Sequence, residues 1–196
     1  YWKVRAVDNK NVKGQWSQVR SFAVYNSGTV TDIDNNIYQT VKIGNQWWTV
    51  ENLRVTQYQD GSKIAKYASN SDWENATEGA YCVHESAENF VIEYGYLYNW
   101  YTIDKIAPEG WRVPSDEDWK ILERELGMEE TDADKTGNRG TNEGGKLKDT
   151  CYSYWKAPNS GATNDYGFNA RGGGFRKIEG EFDGFKKNLQ FWTSSF

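Results

Sequence analysis

Residues 31–54 read TDIDNNIYQTVKIGNQWWTVENLR, and this stretch decides the fold class. Val30–Ile33, Ile37–Ile43 and Gln46–Val50 have strand composition, and the polar runs Asp34-Asn35-Asn36 and Gly44-Asn45 supply two tight turns between them. The expected local structure is a β-meander of three short strands. Trp47 and Trp48 are adjacent on the third strand, so they must face opposite sides of the sheet. Only one of the two can be core on that account.

Downstream, a polar stretch from Asp60 to Gly79 leads to a short expected helix over Ser86–Tyr94. Gly95–Tyr101 (GYLYNWY) then reads as an aromatic strand or turn. The strongest helix signal spans Asp116–Leu126. Ser115 can cap its start, the acidic Asp116-Glu117-Asp118 sits where the helix dipole favours negative charge, and Gly127 can end it. Trp119, Leu122 and Leu126 fall on one stripe, which faces the core. Thr131–Gly145 reads as a polar loop, Gly144–Lys148 begins a short element, and the rest is rich in glycine with short aromatic segments.

Upstream, Tyr1–Val7 and Val19–Val24 read as two strands flanking a turn region. A pair of strands is marginal in water, so Trp2, Val4 and Phe22 require partners from elsewhere. The expected division is 1–25 for this hairpin, 26–30 for an Asn/Ser/Gly linker and 31–196 for the main domain.

Composition narrows the class of partner. Lys and Arg number 23 against 28 Asp and Glu, a net charge of −5, with no basic stripe to neutralise phosphates. Nucleic acid is therefore not an expected partner. Aromatic residues reach 16%, with 10 Trp and 13 Tyr alongside 19 Gly, which suggests a core built from rings on short strands joined by tight turns. No apolar run is long enough to span a bilayer. The chain begins at Tyr1-Trp2 without Met or signal peptide, so a processed chain or a fragment is expected.

The first 24 residues, YWKVRAVDNKNVKGQWSQVRSFAV, resemble the last two strands of a fibronectin type III domain. Residues 30–196 resemble the Fibrobacter succinogenes major paralogous domain, a family of repeated modules in secreted or surface proteins of Bacteroidota and Fibrobacterota. The phrases that carry the resemblance are TDIDNNIYQTVKIGNQWWTVENLR (31–54), YGYLYNWYTI (94–103), APEGWRVPSDEDWKILE (107–123), GGKLKDT (144–150), NDYGFNARGGGFR (164–176) and FWTSS (191–195). The family is similar to the formylglycine-generating branch of C-type-lectin-like folds, with WRVPSDEDWKIL and ARGGGFR as the matching phrases. The resemblance implies an α+β, C-type-lectin-like fold. It does not imply the enzyme activity, because nothing after Cys151 can match that branch's late cysteine pair. Family members continue beyond the FWTSS phrase with further strands, so a shortened domain is expected here.

Four sets of residues invite chemistry. Asp132, Asp134, Thr136 and Glu143 reproduce the oxygen-ligand offsets of an EF-hand calcium loop, with Gly137 at its sharp turn. Arg139 stands where that loop packs an apolar residue and no convincing helix follows Glu143, so a solvated loop is the competing reading. Calcium is the only cofactor suggested. Trp73 and Trp155, in polar segments, are the expected exposed rings for stacking on sugars. Trp100, Trp111, Trp119 and Trp192 lie in fold-defining phrases and are expected to pack in the core. Cys82 and Cys151 form either one disulfide or two free thiols.

The sole histidine, His84, lacks a Ser or Cys partner in any recognisable motif and reads as a loop residue. Gly172-Gly173-Gly174 lacks the strand, Lys and Ser/Thr of a P-loop and reads as a place of tight turning or close packing. The functional expectation is a non-catalytic binding or adhesion module at the cell surface or outside the cell, with a polysaccharide or a surface protein as ligand. The alternative is a structural subunit of a surface assembly, completed by strands from another segment or chain.

Overall fold

Asp32 sets the first turn of the main domain. Its Oδ1 accepts hydrogen bonds from the Asp34 and Asn36 N–H groups at 2.9 and 2.8 Å, and its Oδ2 accepts from the Tyr38 hydroxyl at 2.6 Å. Asn35 takes a φ of +64°, which Asn tolerates better than most residues. Asp32 therefore leaves the strand to build the turn. The first strand, β1 (Ser27–Thr31), accordingly starts earlier than expected, inside the stretch read as a linker. It pairs antiparallel with β2 (Ile37–Ile43), which pairs in turn with β3 (Gln46–Thr49) through a turn at Gly44, φ +56°. The expected meander is present, in the order β1-β2-β3.

The computed structural model describes residues 5, 7, 10–16, 27–84 and 88–195. Most of the two strands expected within the first 25 residues lie outside these. Among the described residues there, Val7 and Lys13 form an antiparallel bridge, and the Arg5 guanidinium lies 4.2 Å from the Trp16 ring centre.

Strand β2 is buried on both faces, because Tyr38 and Thr40 point to one side while Val41 and Ile43 point to the other. Helix α3 (Asp116–Glu125) packs on the second side. Val41, Ile43, Trp48, Leu122, Leu126, Phe168 and Ala170 form one core cluster, with Trp119 and Leu189 packed against it. Each large aliphatic side chain buried there contributes about 1.5–3 kcal/mol. The helix starts where expected: Ser115 Oγ accepts from the Asp118 N–H at 3.2 Å while Asp118 Oδ2 accepts from the Ser115 N–H at 2.8 Å, a reciprocal capping box. Gly127 follows the helix end at φ +98°.

A second small sheet has the order β4 (Ala65–Lys66), β5 (Ala80–Cys82), β6 (Leu97–Tyr98). Strands β4 and β5 run parallel, which requires a crossover, and α1 (Asn70–Glu74) lies within that connection. Ser69 caps α1 by accepting from the Asp72 N–H at 3.0 Å. This helix stands inside a stretch read as merely polar. The helix expected over Ser86–Tyr94 is a 3-10 turn (Glu88–Phe90) followed by α2 (Val91–Tyr94), and another 3-10 turn covers Trp100–Thr102.

Within the expected loop at 131–145 the chain forms α4 (Glu130–Ala133) and begins α5 (Glu143–Leu147). The glycine-rich end folds into the pair β7 (Gly173–Arg176) and β8 (Phe182–Phe185). Together these small sheets and few helices make an α+β fold. None of the helices among the described residues is long and apolar enough to cross a membrane.

Candidate functional site

An open cleft of about 1270 Å³ is lined by β3 with its following loop, the end of α1 with Trp73, the aromatic segment 94–103, the loop 106–114, the start of α3, Phe168 and Ala170, β7, and the end segment 189–192. Rings dominate its walls. Trp48 lies 4.9 Å from Trp119, which stacks at 5.2 Å and 29° on Phe191, while Trp100 meets Trp192 edge-on at 5.6 Å. Four wall rings keep substantial exposure: Trp47 at 46%, Tyr101 at 56%, Phe191 at 43% and Trp192 at 48%.

The end segment is held in place by polar contacts. Trp192 Nε1 donates to the Tyr98 carbonyl at 2.8 Å, the Ser194 N–H donates to the Pro114 carbonyl at 2.9 Å, and Ser195 Oγ accepts from the Asp116 N–H at 2.9 Å. Phe191 and Trp192 are therefore fixed against α3 and β6. Three of the charged wall groups, Arg112, Asp118 and Arg176, are engaged within the protein, and Glu51 and Glu74 also line the cleft. Arg112 and Asp118 form an ion pair at 2.7 Å, and Asp118 also completes the α3 cap. Burial works to raise the Asp118 carboxyl, but the Ser115 N–H and Arg112 hold it below the ordinary carboxylate range. Arg176 donates to the carbonyls of Gly180, Tyr67 and Ala68 at 2.7, 2.7 and 3.0 Å. What remains is a wall of rings with amides and charged groups between them.

Strand β3 ends its sheet on the cleft side. The Val50 N–H donates to the Gln39 carbonyl at 2.8 Å, and the register pairs Val41 with Trp48 and Ile43 with Gln46. In an antiparallel ladder hydrogen-bonded pairs alternate with non-hydrogen-bonded ones. Gln46, Trp48 and Val50 therefore turn their backbone groups toward β2, and Trp47 and Thr49 turn theirs outward. No described residue bonds to those outward groups.

The structure places the residues singled out from the sequence differently. Of the adjacent pair, Trp48 is the core residue at 9% exposure and Trp47 the outward one. Trp73 and Trp155, expected to be exposed, are both buried. Trp73 sits on α1 with the Arg176 guanidinium 4.7 Å from its ring, and Trp155 donates through Nε1 to the Ala170 carbonyl at 2.9 Å. Cations from elsewhere in the chain cover both rings, Arg176 over Trp73 and Lys148, 4.4 Å from the ring centre, over Trp155. Trp192 is the reverse case, expected in the core and found half exposed. Trp100, Trp111 and Trp119 are partly buried.

The four candidate calcium ligands are not brought together. Asp132 lies in α4 and pairs with Lys135, Asp134 pairs with Lys120 at 3.3 Å, and Glu143 accepts from the Thr141 and Asn142 N–H groups at 2.6 and 3.1 Å at the start of α5. Those N–H groups hold the Glu143 carboxyl below its ordinary value. Among the described residues no group of three or more His, Cys, Asp or Glu is placed to hold a metal. Helix formation on either side of the expected loop is the physical reason, and Thr136 lies outside both helices.

Cys82 is buried in β5 and Cys151 is exposed, and both are free thiols. Burial pushes the Cys82 thiol up to about 11, against the opposing pull of Arg176. His84, read as a loop residue, is buried and stacks on Phe185 at 4.6 Å. Gly172 and Gly174 serve close packing, since a Cβ would meet the Lys186 backbone at 2.9 Å in one case and the Asp183 carbonyl at 2.6 Å in the other.

Sequence reasoning missed Tyr101, Phe191 and Trp192 as cleft rings. A usable signal was present: Phe191-Trp192 is an adjacent aromatic pair of the same kind as Trp47-Trp48. Comparison with known proteins finds that the model of a family described as the Fibrobacter succinogenes major domain matches residues 41–196. No curated protein and no solved structure matches the chain.

Proposed function

The chain belongs to the Fibrobacter succinogenes major domain family, and on that footing we propose that it is a non-catalytic binding module of an extracellular or cell-surface protein, its ligand held in the aromatic cleft. The observation that carries this reading is the convergence of four half-exposed rings, Trp47, Tyr101, Phe191 and Trp192, on one concavity. Soluble domains rarely leave contiguous aromatic surface uncovered without using it. Rings set among a few fixed polar groups are the composition of a ligand site for a polysaccharide or a protein segment. Arg112, Asp118 and Arg176 of the walls are engaged in an ion pair, a helix cap and carbonyl contacts, which suits recognition better than acid–base chemistry. A C-type-lectin-like arrangement accords with the small sheets around one main helix, and the antiparallel bridge between Val7 and Lys13 accords with a fibronectin type III-like hairpin ahead of it.

Arrays of bacterial and plant polysaccharides and of peptides, probed with this chain, test the reading. A specific hit is expected, weakened at least ten-fold by Trp47→Ala combined with Trp192→Ala. Full binding by that double variant would move the ligand site elsewhere, and no hit on either array would remove the reading.

A further inference from the structure

We propose that the outer edge of β3 accepts an extended strand from another polypeptide chain, so that the ligand of the cleft is a protein segment rather than a sugar. This inference rests on the cleft being a binding site and names the class of ligand. The outward N–H and C=O groups of Trp47 and Thr49 recur two residues apart, a repeat of about 7 Å along the strand. Such a row of alternating donors and acceptors is the template that another strand's backbone fills. Sugar hydroxyls can reach single groups of that row, whereas a strand's backbone matches its alternation throughout.

Natural edge strands are commonly blunted by Lys, Pro or a bulge. β3 has none of these: Gln46-Trp47-Trp48-Thr49 carries no charge and no proline, and its pairing with β2 is unbroken. The residues of β3 line the same cleft as Trp100 and Trp192, so a strand added at this edge would enter a concavity walled by rings. Charge complementarity specifies its side chains further. The Glu51 carboxylate is engaged by the Gln39 N–H at 2.7 Å and Asp118 by Arg112. Two wall carboxylates, Glu51 and Glu74, have no cationic partner among the described residues and disfavour acidic side chains, while the rings disfavour charge of either sign, so the strand they fit is uncharged, with apolar side chains on its inward face.

The test selects heptapeptides from a displayed random library against the intact chain, with a neutral-glycan array run in parallel. The enriched peptide is then followed by amide hydrogen exchange. The expected result is enrichment of uncharged peptides with alternating apolar residues, slowed exchange at Trp47 and Thr49 on binding, and at least ten-fold weaker binding when alternate peptide nitrogens are methylated. Thr49→Pro, which removes one outward N–H, should abolish binding with the near-ultraviolet circular dichroism retained. Thr49→Lys serves the same purpose should the proline variant fail to fold. Peptide binding without protection at Trp47 and Thr49 overturns strand addition. Glycan hits without peptide enrichment overturn it while leaving the cleft as a binding site, and no binding of either kind overturns both readings.

Discussion

Tyr38 has no exposed surface, yet its hydroxyl makes two hydrogen bonds, donating to Asp32 and accepting from the Arg54 N–H at 3.0 Å. Burial and the Asp32 carboxylate push the phenol well above its ordinary range, so it stays protonated at any pH the fold experiences. Tyr38→Phe leaves both partners without their oxygen and should lower unfolding stability by about 1–3 kcal/mol, measured as the urea midpoint. An unchanged midpoint would show that the turn is held by its backbone alone. The residue scale is also where the sequence misled most. Alternation in β3 correctly put Trp47 and Trp48 on opposite faces, because a strand imposes its period on neighbours, but which of the two is core came only with the structure. Trp73 and Trp155 had only polar neighbours to judge by. Arg176, brought from more than a hundred residues away, covers Trp73, and the Ala170 carbonyl satisfies Trp155, contacts that no local pattern announces.

Helix α3 is the element whose signals were complete in the sequence: a capping serine, acidic first turn, apolar stripe and terminal glycine all agree. Ser115→Ala should cost about 1 kcal/mol, read in thermal or chemical unfolding. The same cap makes a pH prediction. Asp118 is held below its ordinary value, so its contribution is fully present above the unfolded carboxylate value, near 3.9, and is lost as pH falls through the depressed folded value. The wild-type melting temperature should therefore fall more steeply below about pH 4 than that of Asp118→Asn, which has lost the contribution at every pH. Parallel acid profiles for the two proteins would contradict this. Helices α1 and α4 were illegible by contrast, and α5 was foreseen only as a short element beginning at Gly144. Each has four or five residues, too short for a periodic stripe, and each is stabilised by packing rather than propensity. Reading 131–145 as one polar loop is what made the calcium spacing at 132–143 look plausible.

At the scale of the whole molecule, the meander, the main helix and the α+β class were legible, because each depends on neighbours in sequence. The cleft was not, since its walls come from segments scattered between residues 45 and 192. The two cysteines give a global test of the packing. Cys151 should react with a thiol reagent in the native protein within minutes, and Cys82, buried and with its thiol raised to about 11, should react only on unfolding. Two equally fast thiols would mean that β5 is open to solvent.

The strap formed by Leu189–Ser195 carries a consequence for how the chain comes to be folded. The main core cluster draws on residues 41–48, 122–126, 168–170 and 189, and the strap ties Ser195 back to the first residue of α3. Contacts this distant along the chain require large loops to close before they stabilise anything, which slows folding. During synthesis the meander can pair as soon as β3 emerges. Its inward face then waits for α3, and the Trp119 ring waits longer still for Phe191. Until residues 189–195 have left the ribosome, the aromatic surface has no cover, and this interval is when the nascent chain most needs a chaperone or its binding partner at hand.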